Sequence, residues 1–259
     1  MLATTIAGHP TVEWGSGRPL LVVPGLNDPL CRVDDAPWFT LLVAAYCRRC
    51  ANAFDRRVCM VSRPRGLRPG TTIADIASGY RDVLDRIGPA DVLGISMGGT
   101  IAERLASSDE RVRSLIFGLA ASRPSAAGVA LLERWRAWAD RGEWASVYRS
   151  GVDVVTVGWL RRAGRIAATA YDLVVDHPRS PDDFGITVSA CLSYEPERSV
   201  DVPTLVVGGT GDPFFGIGEF EATAERHDGR FVRLPDTGHE AILHRGAAFD
   251  GAIARFLQG

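Results

Sequence analysis

The chain predicts an α/β fold: a mostly parallel central sheet flanked by helices, with a helical segment inserted late in the chain. Three observations lead there. Apolar runs of strand length, such as Leu20-Leu21-Val22-Val23 and Val92-Leu93-Gly94-Ile95, lack in-out alternation and so read as strands buried on both faces. Helix-period segments separate them, giving the strand, helix, strand alternation of parallel sheets. From about residue 122 to 201 the alternation stops, then resumes at Val202. The expectation is one core built from 1–121 and 202–259, with 122–201 as a helical cap over the carboxyl edge of its sheet.

In order, Ile6, Val12 and Trp14 alternate about Gly8-His9-Pro10 and predict a small hairpin with His9 in the turn. Pro19 to Pro24 is a buried parallel strand that delivers Gly25-Leu26-Asn27-Asp28-Pro29 to the carboxyl edge, where such sheets bind ligands. A helix follows from Trp38 to Ala51, then a strand from Arg57 to Ser62. The exit loop RPRGLRPG, with Arg63, Arg65 and Arg68, reads as a solvated loop rather than an anion site. Thr72 caps an amphipathic helix carrying Ile76, Tyr80, Val83, Leu84 and Ile87, which Gly88-Pro89 stops. Val112 to Leu119 is a further buried strand. In the insertion, the helical spacing of Trp135, Trp138 and Trp144 is first of all interhelical core, with a pocket-lining role for these and Tyr148 secondary; His177 reads as a surface loop residue. The closing elements are a strand to Gly208, a helix over Ile217 to His227, a strand over Arg230 to Leu234 and a helix ending near Leu257.

The chemistry concentrates at Ser96, in GISMGG, where a strand runs directly into a helix. A serine in such a turn takes a strained backbone, and Gly94 and Gly98 let strand and helix approach closely. The strain exposes the hydroxyl, and the Met97 N–H at the helix start is free to meet an anion. A hydroxyl nucleophile needs a base, and imidazole, with an unperturbed pKa of about 6.5, suits the task. His239 follows a predicted strand and a glycine turn, whereas His9, His177, His227 and His244 lie in turns, at a helix end or inside the last helix. The imidazole in turn needs an acceptor for its other N–H. Asp212, on the loop after the Val202 strand, stands where that acceptor belongs, with Asp236 as competitor and a turn-capping role as the bland alternative.

Composition bounds the remaining readings. With 259 residues, 46% of them apolar, there is room for one large domain with an insertion. A net charge of −2 with mixed signs argues against nucleic acid or anionic membrane as a partner. All 29 basic residues are arginine, which excludes lysine-based covalent catalysis. No long apolar run or leader pattern is present, and an odd set of five scattered cysteines fits a reducing cytoplasm. Cys47 and Cys50, with Cys59 nearby, find no completing ligands, so neither a metal nor another cofactor is expected. Composition leaves a homo-oligomer open.

The order Ser96, Asp212, His239 on this scaffold is the one associated with α/β-hydrolases. Over almost its whole length the chain resembles that superfamily, through LLVVPG, GISMGG, TLVVGGTGDPFF and LPDTGHEAIL. GISMGG looks like its capped esterase, enol-lactonase and haloperoxidase-like branch. The resemblance implies Ser96 as nucleophile, Asp212 as acid and His239 as base, with the Met97 and Leu26 N–H groups as oxyanion donors. Pro24-Gly25 departs from the His-Gly common at the family's oxyanion turn, which puts the orientation of that loop in question. The implied activity is hydrolysis of small to medium carboxylic esters, with a small acyl compound as the partner. Lactone, thioester, C–C bond and aminopeptidase-type hydrolysis use the same triad, and a noncatalytic small-molecule receptor is the reading from another class. A charged anchor in the cap, such as Arg161, Arg162 or Arg165, would separate these alternatives.

Overall fold

The computed structural model describes residues 3–175, 178–196, 199–244 and 246–259, so His177 lies outside the described residues. The strands are β1 (Ala3–Ile6), β2 (His9–Trp14), β3 (Pro19–Val23), β4 (Arg57–Val61), β5 (Ala90–Ile95), β6 (Val112–Gly118), β7 (Thr204–Gly209) and β8 (Arg230–Leu234). The helices are α1 (Pro37–Phe54), α2 (Ile73–Ile87), α3 (Gly98–Ala106), α4 (Ala126–Asp140), α5 (Trp144–Val155), α6 (Gly158–Val175), α7 (Pro181–Leu192), α8 (Ile217–Arg226), α9 (Ala241–His244) and α10 (Gly246–Gln258).

The strands form one sheet in the order β1-β2-β4-β3-β5-β6-β7-β8. The pairs β1–β2 and β2–β4 are antiparallel and the others parallel. The uninterrupted apolar runs are explained by two-sided burial: Leu21 and Val23 of β3 enter one core, while Leu20 and Val22 enter the other. The first core is closed by α2, α3 and α8 through Tyr80, Ile101 and Phe220, the second by α1 and α10 through Phe54 and Phe249. The predicted cap on α2 is present as a reciprocal capping box between Thr72 and Asp75.

Topology places the site. From β3 the chain steps outward to β4, then returns across β3 to β5, so the strand order reverses between β3 and β5. At such a reversal the loops leaving two neighbouring strands diverge and open a crevice at the carboxyl edge. Those two loops are Pro24–Pro29 and the Ser96 turn. After β6 come α4 to α7, with no strand among the described residues before β7. Among the described residues no helix is long and apolar enough to cross a membrane.

Three sequence expectations are corrected. His9 is the first residue of β2 rather than a turn residue: the turn is Ala7-Gly8, both at positive φ, and the buried imidazole Nδ1 lies 3.0 Å from the Ser62 carbonyl oxygen. His244 ends the one-turn α9 instead of lying within the closing helix. Arg63 is 2% exposed rather than solvated, because it has buried partners from β3's exit loop.

Candidate active site

β5 ends at Ile95 and α3 begins at Gly98, so Ser96 and Met97 make the whole connection. Ser96 has φ +54°, a left-handed conformation that costs a non-glycine residue on the order of 1–3 kcal/mol. The surroundings hold it there: its N–H donates to the Gly118 carbonyl at 3.0 Å, and its carbonyl accepts from the Gly99 N–H at 2.8 Å. The flanking glycines are required by contact. A Cβ on Gly94 would stand 2.4 Å from the Gly98 oxygen, and one on Gly98 would stand 2.2 Å from the Val23 oxygen. Because both obstacles are backbone, neither can yield by a rotamer change. Gly98→Ala is therefore expected to lower unfolding free energy by about 3 kcal/mol, measured by urea denaturation.

The loops after β7 and β8 are tied together, with the Gly211 N–H on the Thr237 carbonyl at 2.8 Å and the Thr210 N–H on the Leu234 carbonyl at 3.1 Å. This brings Asp212 to His239. Asp212 Oδ2 lies 2.7 Å from His239 Nδ1, while Oδ1 accepts from the Phe214 and Phe215 N–H groups at 2.9 and 3.2 Å. Asp212 thus both caps its turn and faces the imidazole, using one oxygen for each. Its side chain is fully buried and that of His239 is 7% exposed. Phe214 meets the imidazole edge-on at 5.0 Å between ring centres, which restrains the ring plane. Asp236 is exposed on the turn, with its N–H on Thr210 Oγ1 at 3.0 Å.

Ser96, His239, Leu26 and Met97 all line one cavity of about 630 Å³. Ser96 and His239 share its wall without a hydrogen bond between their side chains among the described residues. Leu26 and Met97 are both buried, and among the described residues neither N–H donates to a protein acceptor. The rest of the wall comes from loop residues such as Phe214 and Phe215 and from the helices that follow β6, through Leu132, Trp135, Val147, Tyr148, Ala167 and Tyr171. Trp135 and Tyr148 therefore face the cavity. Trp138 and Trp144 belong to the packed core, Trp144 edge-on to Phe184.

Among the described residues no Asp, Glu or Arg lines the cavity; His239, the phenols of Tyr148 and Tyr171 and the thiol of Cys191 are the titratable side chains on its wall. Arg161 donates to the Thr156 carbonyl on the helix exterior, and Arg165 pairs with Asp153 at 3.6 Å. The other buried histidine, His227, is engaged elsewhere. The Val200 N–H donates to its Nδ1 at 3.2 Å, so Nε2 carries the proton facing Glu103 Oε1 at 2.9 Å. Glu103 on α3 also accepts from Ser122 Oγ at 2.8 Å, so one carboxylate oxygen joins the helix that follows Ser96 to the segment after β6 and to His227 at the end of α8. Periodicity could not have revealed that pair, whose members lie 124 residues apart.

A model of the alpha/beta hydrolase family matches residues 20–252. BpoC of Mycobacterium tuberculosis, whose name provisionally makes it a non-heme bromoperoxidase, is 25% identical over 266 residues, covering 94% of this chain and 95% of its own. The enol-lactonase of Burkholderia xenovorans LB400 has a similar structure, with a TM-score of 0.75 at 18% identity, over 99% of this chain and 100% of its own. An esterase of Exiguobacterium antarcticum aligns with a TM-score of 0.71 at 17% identity, over 98% of this chain and 97% of its own.

Proposed function

The chain belongs to the alpha/beta hydrolase family and is an enzyme of the hydrolase type; from that premise we propose that it cleaves small to medium carboxylic esters through an acyl-enzyme on Ser96. The observation carrying this reading is that the strained Ser96 and the Asp212-held His239 border one apolar cavity. Its Asp212 contact assigns His239 Nδ1 as a donor, leaving Nε2 as an acceptor. In the reaction Nε2 takes the Ser96 proton as Oγ attacks the acyl carbon, and the carbonyl oxygen becomes an oxyanion held by the Leu26 and Met97 N–H groups. The imidazolium then protonates the departing alkoxide, leaving the acyl group on Ser96. Water repeats the sequence with His239 as base, releasing the acid and restoring the hydroxyl.

The helices of 122–201 act in this reading as a cap on a core of 1–121 and 202–259, shaping the pocket. Five free cysteines, four of them buried, support a cytoplasmic setting. A fluorophosphonate should add once to the wild-type protein, on Ser96, as read by intact mass and peptide mapping, and should fail to add to Ser96→Ala. An unmodified but folded wild-type protein would sink the serine-hydrolase reading.

The apolar wall favours substrates that are neutral throughout. Within one p-nitrophenyl ester series, kcat/KM is expected to rise about 4-fold per added methylene until the pocket is full, since each buried CH₂ contributes about 0.8 kcal/mol. An ω-carboxylate on an ester of equal length should lower kcat/KM by about 100-fold or more, because no cation in the wall compensates for its desolvation. Equal rates on the charged and neutral esters would overturn this substrate class.

A further inference from the structure

The loop after β4 carries a buried arginine that has no place in the reaction just described, yet, beside the Tyr80 hydroxyl of α2, its side chain meets two carbonyls and a carboxylate of the turn that supplies the Leu26 N–H. Arg63 Nη1 donates to the Pro24 carbonyl at 2.9 Å and Nη2 to the Gly25 carbonyl at 2.7 Å. Its Nε lies 3.4 Å from Asp28 Oδ2, and the same carboxylate oxygen accepts from the Arg63 N–H at 2.9 Å. The Arg63 and Asp28 side chains are 3% and 2% exposed, so this is a dry ion pair, and one N–H of each terminal guanidinium nitrogen goes to one of two consecutive carbonyls. A planar guanidinium can hold two such acceptors at once, which an ammonium cannot do with the same geometry.

In a trans peptide the C=O and N–H point in opposite directions. With the Gly25 oxygen drawn toward Arg63, the N–H on the other end of the same peptide, that of Leu26, must point away from Arg63. The turn presses against the candidate nucleophile: a Cβ on Gly25 would stand 3.0 Å from Ser96 Cβ and 3.2 Å from the Ile95 oxygen. Leu26 itself borders the cavity. Rotating the Gly25–Leu26 peptide would bring its carbonyl, an acceptor, to where an oxyanion needs a donor, and would strip Arg63 of a buried partner.

We propose that Arg63 is a positioning residue: its guanidinium clamps the Pro24 and Gly25 carbonyls and so keeps the Leu26 N–H turned toward the oxyanion that forms beside Ser96. This rests on the acyl-enzyme reading of Ser96. It also supplies, from a residue 38 positions away, the loop orientation that the Pro24-Gly25 turn leaves undetermined by itself.

The test compares wild type with Arg63→Met and Arg63→Lys, using a neutral p-nitrophenyl ester and 1-octaneboronic acid, which forms a tetrahedral adduct on an activated serine. Loss of one oriented donor predicts a kcat about 100-fold lower in Arg63→Met, with KM changed less than about 3-fold. Boronate affinity should fall in parallel, because that adduct needs the same donor. Arg63→Lys, which retains the charge but can hold only one carbonyl well, should fall in between, and guanidinium ion should partly restore kcat in Arg63→Ala. A folded Arg63→Met with kcat within 2-fold of wild type overturns the proposal. So does a loss of kcat with unchanged boronate affinity, the pattern of a purely structural residue. If Arg63→Met does not fold, Arg63→Lys decides by the same two readouts. Wild-type protein that takes no fluorophosphonate on Ser96 refutes the acyl-enzyme reading instead, a failure distinct from either outcome in the Arg63 variants.

Discussion

Ser96→Ala is expected to lower kcat on a neutral ester by about a million-fold where acylation limits turnover, since in the proposed mechanism loss of the nucleophile disables the unit formed with His239 and Asp212. The change should be nearly silent for folding. What holds Ser96 at φ +54° is its backbone, through the Gly118 carbonyl and the Gly99 N–H, and the hydroxyl makes no hydrogen bond among the described residues. Alanine meets the same backbone strain as serine, so the melting temperature should stay within about 2 °C. Residual oxyanion binding should leave a rate above that of water alone. Steady-state kinetics with a thermal melt on the same preparation check both halves. A folded Ser96→Ala that retains several per cent of wild-type turnover would mean that another group attacks the substrate.

Asp212→Asn should lower kcat by about 10⁴-fold, and the hydrogen bonds at this residue show why. Oδ1 is already committed as acceptor to the Phe214 and Phe215 N–H groups. An asparagine must keep its carbonyl oxygen there, which places its NH₂ where Oδ2 now faces His239 Nδ1. An NH₂ can only donate, so Nδ1 becomes the acceptor, the imidazole proton moves to Nε2, and no lone pair is left to take the Ser96 proton. The turn keeps its cap and the fold its stability, so the loss should appear in kcat with little change in KM. Asp236→Asn is the control: exposed and away from the imidazole, it should leave kcat within about 2-fold of wild type. Equal losses in the two variants would contradict the tautomer argument, and ring-nitrogen NMR shifts of His239 would report the tautomer directly.

Particular residues show how much of this was legible beforehand. The hairpin at the start, the Thr72 cap and the parallel strands follow from short-range rules: turn residues with positive φ, a side chain three residues from the N–H it caps, apolar runs bounded by glycine and proline. The Ser96 turn is partly of the same kind: Gly94 expresses a contact with the Gly98 carbonyl made within five residues of chain, whereas Gly98 is also required by the Val23 carbonyl of the neighbouring strand. His9 starts β2 although Gly8 and Pro10 on either side of it give it the local composition of a turn, and only the β1–β2 register shows that the bend is Ala7-Gly8. Arg63 departs from its local composition for a different reason. Surrounded in sequence by arginine, proline and glycine, it has the local composition of a solvated loop, and its burial depends on partners brought to it by β3.

By itself the sequence determined the alternation of strands and helices, the turn carrying Ser96, and the strand-following loops that carry Asp212 and His239, since each depends on residues a few positions apart. Tertiary structure decided which carboxylate meets the imidazole, which aromatic residues face the cavity rather than the helix core, that Arg161 and Arg165 stay outside it, and what holds the Gly25–Leu26 peptide in place. Each of these is a contact between segments far apart in the chain, set by strand order and loop packing, and neither hydrophobic periodicity nor local turn chemistry carries that information.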